Sequence, residues 1–327
     1  APTFDPNVPS SITVDKLNNP SVQEVYEPGS TGKVITVAAA MEEGLITPET
    51  VFSIPYSMKV SDGVFRDHEK HPTQRLTTTG LLAVSSNTGS IKIGQKLGKD
   101  NLYKYLTKFG IGQSTNSKLP GESAGILHPV KNWSGTSLPT ISFGQGYSLT
   151  AMQATSVFAT IANNGVRVKP SILAGVVNES GKYTPAAANE STRVLSEQTA
   201  INMRAMMENV VSKNGTAPSA AINGYRVAGK TGTAERYNTA CKCYSGYTAS
   251  FIGFAPADQP KYVVSVTIQD PKGMHWGGVL AGPVFKKVMG FVLQNQRISP
   301  TPETKTFYSL TEAALKQRSK ITPKSGA

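Results

Sequence analysis

The chain has 327 residues, of which 39% are hydrophobic and 17% charged, enough apolar material to bury a real core and too much for a disordered or fibrous polypeptide. Thirty-three Lys and Arg against twenty-one Asp and Glu leave a net charge of +12, which favours acidic partners such as nucleic acid, an anionic membrane or a carboxylate-bearing polymer. Nucleic acid is set aside, because there is no aromatic RNA-binding strand, zinc-finger spacing or long basic helix. No apolar run is long enough to span a bilayer, and the opening APTFDPNVPSS is not a signal peptide.

The first 29 residues are rich in Pro, Asn and Ser, read as extended, and end in the turn Tyr26-Glu27-Pro28-Gly29. From Ser30 the apolar residues Val34, Val37, Ala38, Met41 and Leu45 recur at helical steps, with Gly44 at the expected stop. Residues 46–75 read as a looser stretch, and 76–112 as two helices over 81–97 and 101–109. A loop over 113–147 precedes an Ala-rich buried helix over 149–163, closed by Asn164-Gly165. Beyond it come a surface hairpin or meander to 193, then a helix over 196–213 with Ser196 and Glu197 in its first turn. Three β-like runs follow at 225–234, 247–255 and 261–269, then an amphipathic helix over 283–295. From 299 the composition predicts a flexible tail with at most a short helix near 310–318. Cys241 and Cys243 are the only cysteines; two ligands do not make a zinc site, which leaves two loop thiols or a short-loop disulfide of the kind an oxidising compartment permits.

Three short motifs carry chemistry. Ser30-Thr31-Gly32-Lys33 puts an amine one helical turn from a hydroxyl, where burial could lower its pKa enough to activate the serine. Ser85-Ser86-Asn87 offers a hydroxyl and an amide, suited to relaying a proton and gripping a peptide. Lys230-Thr231-Gly232-Thr233 interrupts a β-like run with a cation and a glycine, suited to holding a carboxylate close to backbone. Each alone has an ordinary explanation: a helix cap, a turn, a charged edge strand. All three in this order are another matter. They match the S-x-x-K, Ser-x-Asn and K-T-G set of penicillin-binding proteins and serine β-lactamases.

The resemblance extends to the flanks. Glu27-Pro28-Gly29-Ser30-Thr31-Gly32-Lys33 resembles the E-P-G-S-x-x-K of class B penicillin-binding proteins, the monofunctional peptidoglycan transpeptidases, closest to the division-type, FtsI-like branch. Segments 2–7, 119–125, 142–146, 229–235 and 251–258 resemble further landmarks of that family, covering residues 1 to about 295.

The resemblance implies an α+β fold in which an antiparallel sheet flanked by helices joins a mainly helical subdomain, with the site between them. The transpeptidase domain would occupy 1–298, the helical subdomain about 46–165 and the sheet about 224–295, with 299–327 a flexible tail. It further implies Ser30 as acylated nucleophile, Lys33 as general base and Ser85 as proton relay. Asn87 would hold the donor peptide, and Lys230, Thr231, Gly232 and Thr233 the terminal carboxylate of a D-Ala-D-Ala stem. Ser86 would be the free middle position, and the backbone N–H groups of Ser30 and Thr233 the oxyanion hole. Lys33 must be neutral to act as a base, whereas Lys230 must stay charged.

No metal or organic cofactor is expected. The expected partners are peptidoglycan stem peptides, β-lactam antibiotics as covalent inhibitors, and cell-division proteins met through N-terminal regions; the expected location is the outer face of the bacterial cell membrane. The family's anchor, pedestal and first two sheet strands precede the 2–7 landmark, so they are expected to lie outside this sequence, leaving the 261–269 strand with an open edge. A D,D-carboxypeptidase, a β-lactamase and a non-catalytic β-lactam sensor share the motifs. The deacylating Glu-x-x-Leu-Asn stretch of class A β-lactamases is not found here.

Overall fold

The computed structural model describes residues 5, 7–13, 17–238, 241–301 and 308–321. Of the landmark at 2–7, residues 2–4 and 6 lie outside them. In chain order the elements are α1 (Pro20–Gln23), β1 (Val25–Tyr26), a 3₁₀ turn (Gly29–Gly32) and α2 (Lys33–Glu42); then β2 (Val51–Ile54), β3 (Ser57–Val60), β4 (Gly63–Arg66) and β5 (Gln74–Thr77). Next come α3 (Thr78–Ala83), α4 (Asn87–Leu97), α5 (Lys99–Lys108), α6 (Ser137–Ser142), β6 (Leu149–Thr150) and α7 (Ala151–Ala162). Four short strands follow, β7 (Val166–Val168), β8 (Gly175–Val177), β9 (Tyr183–Pro185) and β10 (Ser191–Arg193), then α8 (Glu197–Val211). The chain continues through β11 (Ala228–Asn238), β12 (Cys243–Ala255), β13 (Tyr262–Gln269), α9 (Gly277–Asn295) and α10 (Glu312–Ile321).

The main sheet is antiparallel in the order β11-β12-β13. Alternation along β12 builds two cores. Ile252 and Phe254 face the helical body that contains α2, α4, α5 and α7, while Phe251 and Ala255 face α9, with the Phe251 and Phe285 rings 4.7 Å apart edge to face. Helix α2 is buried from Lys33 to Met41, apolar on nearly every side, as befits a helix running through the middle of a core. Its first residue is therefore a lysine delivered into the interior.

Several expectations need correction. The loose stretch 46–75 is two antiparallel strand pairs, β2 with β5 and β3 with β4. Its polar residues hid the alternation because β3 and β4 are covered on one side only. The predicted helix over 81–97 is broken: Ser85 takes φ +64°, and α4 starts afresh with Ser86 as its N-cap, the Ser86 Oγ accepting from Gly89 N at 2.9 Å. Helix α9 begins six residues before Pro283, the expected first position, and carries that proline within it.

Of the region past 299, the segment 308–321 docks on β5 and α3: Thr77 N donates to Leu310 O at 3.1 Å, Arg75 pairs with Glu312 at 3.1 Å and Arg318 with Glu49 at 2.7 Å, while 302–307 and 322–327 lie outside the described residues. Cys241 and Cys243 form a disulfide at the β11–β12 turn. Among the described residues β13 pairs only with β12, so its outer edge carries no strand. Helix α7 and the surface hairpins β7–β10 and β8–β9 fall where the pattern put them.

Candidate active site

The three motifs converge at the junction of sheet and helical body. Ser30, 6% exposed, sits in the 3₁₀ turn that feeds α2. Gly29 takes φ +53°, and a Cβ there would lie 3.0 Å from Ala234 Cβ and 3.3 Å from Thr233 O. Glycine thus lets the free edge of β11 pass directly beside the serine turn. Gly232 does the same from the sheet side, since a Cβ on it would meet Ser250 Oγ at 2.3 Å and Pro28 O at 2.9 Å. The 142–146 landmark clamps the turn from below: Gly29 N donates to Gly144 O at 2.8 Å and Gly146 N to Glu27 Oε1 at 2.9 Å.

Ser85 is the hub. Its unusual backbone conformation turns both its carbonyl and its hydroxyl towards Lys33, whose Nζ donates to Ser85 O, to Ser85 Oγ at 3.3 Å and to Asn87 Oδ1 at 2.7 Å. Lys230 Nζ donates to the same Ser85 Oγ at 2.8 Å and to Thr231 O at 3.3 Å. Thr231 Oγ1 meets Thr216 Oγ1 at 2.8 Å, and Thr233 Oγ1 accepts from Gly277 N, at the start of α9, at 3.1 Å. All of Lys33's acceptors lie on the 85–87 turn and none on Ser30, one turn away along the chain.

Both lysines are fully buried, and burial disfavours their charged forms. Burial lowers Lys33 to about 7, with the Asp67 carboxylate holding it up somewhat. Lys230 is driven well below its ordinary value by burial and then by the charge on Lys33, with no acid to offset them. Burial thus works against the charged form of both lysines, and a neighbouring carboxylate, Asp67, offsets it at Lys33 alone.

Asp67, just past β4, escaped the sequence reading. Its Oδ1 accepts from Asn87 N at 2.6 Å and Thr88 N at 2.9 Å; its Oδ2 accepts from Ser86 Oγ at 2.8 Å and meets His71 Nε2 at 3.1 Å. Ser86 is thus a cap and a tether, not a free middle position. No motif announces Asp67, because its contacts with the 86–88 turn come from about twenty residues on. His68 and Trp276, ring centroids 5.5 Å apart and edge to face, were also missed. They stand between two cavities that both reach Ser30 and Thr233: one of about 200 Å³ bounded by Asn87, Gln145, Glu235 and Tyr247, the other of about 520 Å³ bounded by Ser85, Thr216, Thr231 and Gly278. Burial, then the Lys33 and Lys230 charges, lower His68 to about 4, so it stays neutral at physiological pH.

This geometry has relatives. Residues 1–290 match the model of the penicillin binding protein transpeptidase domain. The chain belongs to that family, among its class B members. It is 40% identical over 312 residues to the penicillin-binding protein PbpB of Mycolicibacterium smegmatis, covering 92% of this chain and 48% of that protein. Against the peptidoglycan D,D-transpeptidase FtsI of Escherichia coli it is 34% identical over 302 residues, covering 92% and 49%. The chain thus spans about half the length of the curated relatives it matches. The crystal structure of penicillin-binding protein 3 from Mycobacterium tuberculosis in complex with aztreonam superposes with a TM-score of 0.87 at 36% identity, covering 94% of this chain and 71% of that one. The α+β fold expected from the motifs is the fold of these transpeptidase domains.

Proposed function

We propose that this domain is a serine D,D-transpeptidase that crosslinks peptidoglycan stem peptides through an acyl-enzyme on Ser30, and that β-lactams acylate the same serine. The observation that carries the reading is the double contact on Ser85 Oγ, which accepts from Lys230 and lies within reach of Lys33, beside the Ser30 turn.

The donor stem lies extended along the free edge of β11, in the manner of a strand added to a sheet. Its terminal carboxylate sits at Lys230, Thr231 and Thr216, and its scissile carbonyl points at the N–H groups of Ser30 and Thr233. Ser30 Oγ attacks that carbonyl while its proton passes to the neutral amine of Lys33. The C–N bond breaks, and the terminal D-Ala leaves with a proton delivered through the Ser85 hydroxyl. An amine of a neighbouring stem then attacks the ester, and its proton returns through Lys33 to Ser30. Asn87, with its Nδ2 fixed on Arg66 O at 2.9 Å, grips the donor backbone. Every step is carried by these side chains and by backbone N–H groups.

Septal wall synthesis at the outer face of the cell membrane, with division proteins met through regions upstream of residue 1, is the cellular role we infer; the match to FtsI supports it. The domain limits we assign are 1–298 for the transpeptidase unit, with the 308–321 segment docked on it. The test is intact mass after mixing with a labelled penicillin. A single adduct mapping to the peptide holding Ser30, and lost in Ser30→Ala, is expected; an adduct that survives that substitution, or maps elsewhere, sinks the assignment.

A further inference from the structure

Residues 231, 233 and 235 point the same way from β11, because side chains alternate along a strand and two residues advance about 6.8 Å. Thr231 and Thr233 are already placed in the proposed donor track. Glu235 is the next in line, and it bounds the smaller cavity together with Ser30, Thr233 and Asn87. Its carboxylate has no hydrogen-bond or ion-pair partner among the described residues, on a chain with a net charge of +12. A second carboxyl nearby, Glu27, is held at Oε1 by Gly146 N and Tyr244 and is raised by burial, with Glu235's charge adding to that shift, so it offers Glu235 no counter-charge. A carboxylate with no cation beside it, lining the cavity at the end of a substrate track, is a receptor for a positive group.

The direction of the donor peptide says which group arrives there. With the terminal carboxylate at Thr231 and the scissile carbonyl at Thr233, an extended peptide advances about 3.4 Å per residue. The residue preceding the two D-alanines then lies alongside Thr233 and Glu235. A four- or five-atom side chain ending in an ammonium spans the remaining gap.

We propose that Glu235 is a specificity-determining residue that selects donor stems whose residue before D-Ala-D-Ala carries a free side-chain amine. This rests on the transpeptidase reading above and adds to it the identity of a donor contact.

The test uses the whole chain and two synthetic peptides ending in Lys-D-Ala-D-Ala, one with the lysine side-chain amine free and one with it acetylated. The rate of D-Ala release is compared between them. Wild-type protein is expected to favour the free amine by about fivefold, the scale of one partly exposed ion pair. Glu235→Gln is expected to remove that preference, and Glu235→Asp to keep part of it. Equal rates for both peptides with the wild type, or a preference that survives in Glu235→Gln, overturn the proposal. So does an effect confined to the fraction of acyl-enzyme captured by an added amine, which would place the carboxylate on the acceptor. The penicillin adduct on Ser30 separates the failures. A protein that forms the adduct but shows no preference loses only this proposal, whereas one that forms none loses the transpeptidase reading itself.

Discussion

Replacing Lys33 by methionine keeps most of the side chain's volume and length while removing its charge. A lysine held at about 7 in the folded protein against an ordinary 10.5 binds fewer protons folded than unfolded between those values. Stability therefore rises with pH across that window, and the burden is largest below it. Integrated, the burden is about 4 kcal/mol at about pH 7 and about 2 kcal/mol at about pH 9. The methionine variant carries none of it. It does leave Ser85 O and Asn87 Oδ1 without the Nζ donor, at about 1–3 kcal/mol each, and that cost does not vary with pH. The two terms nearly offset each other at neutral pH, so the absolute stability change is a poor test and its slope is a good one. Urea unfolding followed by circular dichroism should show the variant's stability relative to wild type falling by about 2 kcal/mol between about pH 7 and about pH 9. Lys230 is present in both proteins, and relief from its neighbour's charge can only widen that change. Parallel pH dependence in the two proteins, or a variant that gains on wild type as pH rises, would refute the claim that Lys33 is held low, and its role as base with it.

The same shift predicts that acylation by penicillin accelerates as pH rises through about 7, measured by stopped-flow fluorescence. Lys33→Arg keeps a charge that cannot be given up and should cost at least about 10²-fold in acylation, while Lys230→Arg keeps a permanent cation where a carboxylate binds and should cost far less; equal damage contradicts the division of labour. Asp67→Asn should slow acylation about tenfold by loosening the 85–88 turn, and, because Asp67 holds Lys33 up, it should also move the midpoint of the pH–rate profile downward. A slower enzyme with an unmoved midpoint would mean that Asp67 acts through structure alone.

What could be read from the sequence was the chemistry that depends on local order. S-x-x-K works because one helical turn separates hydroxyl from amine, and K-T-G because a glycine in a strand signals close approach; both spacings are visible in one dimension. The long apolar helices and strands were legible for the same reason. What stayed hidden depends on distant backbone. The break at Ser85 does not show, because Leu81, Leu82, Ile91 and Ile93 are all buried and the apolar spacing runs straight through it. The positive φ at Ser85 precedes a turn that Asp67, just past β4, holds through Ser86 Oγ, Asn87 N and Thr88 N, contacts about twenty residues apart in the chain. Docking of the 308–321 segment rests on backbone contacts with Thr77 and on ion pairs with Arg75 and Glu49, none of which has a periodicity to detect.

The shared hydroxyl between the two buried lysines bears on how such a site is switched on. With protein groups alone, Asp67 favours the proton on Lys33 and nothing favours it on Lys230. Two amines that share one hydroxyl titrate as a pair, so raising one lowers the other. A carboxylate at Thr231 raises Lys230, and the charge that then settles on Lys230 pushes Lys33 towards the neutral form. Ser85 Oγ, within 2.8 Å of Lys230 and 3.3 Å of Lys33, is the path by which the proton can cross. Binding the donor's terminal carboxylate and completing the base would then be one event, and a peptide without that carboxylate would leave a larger share of Lys33 protonated. On this view Ser30 is kept quiet until the correct end of the substrate is in place, and Lys230→Arg, which fixes the charge permanently, leaves Lys33 already prepared.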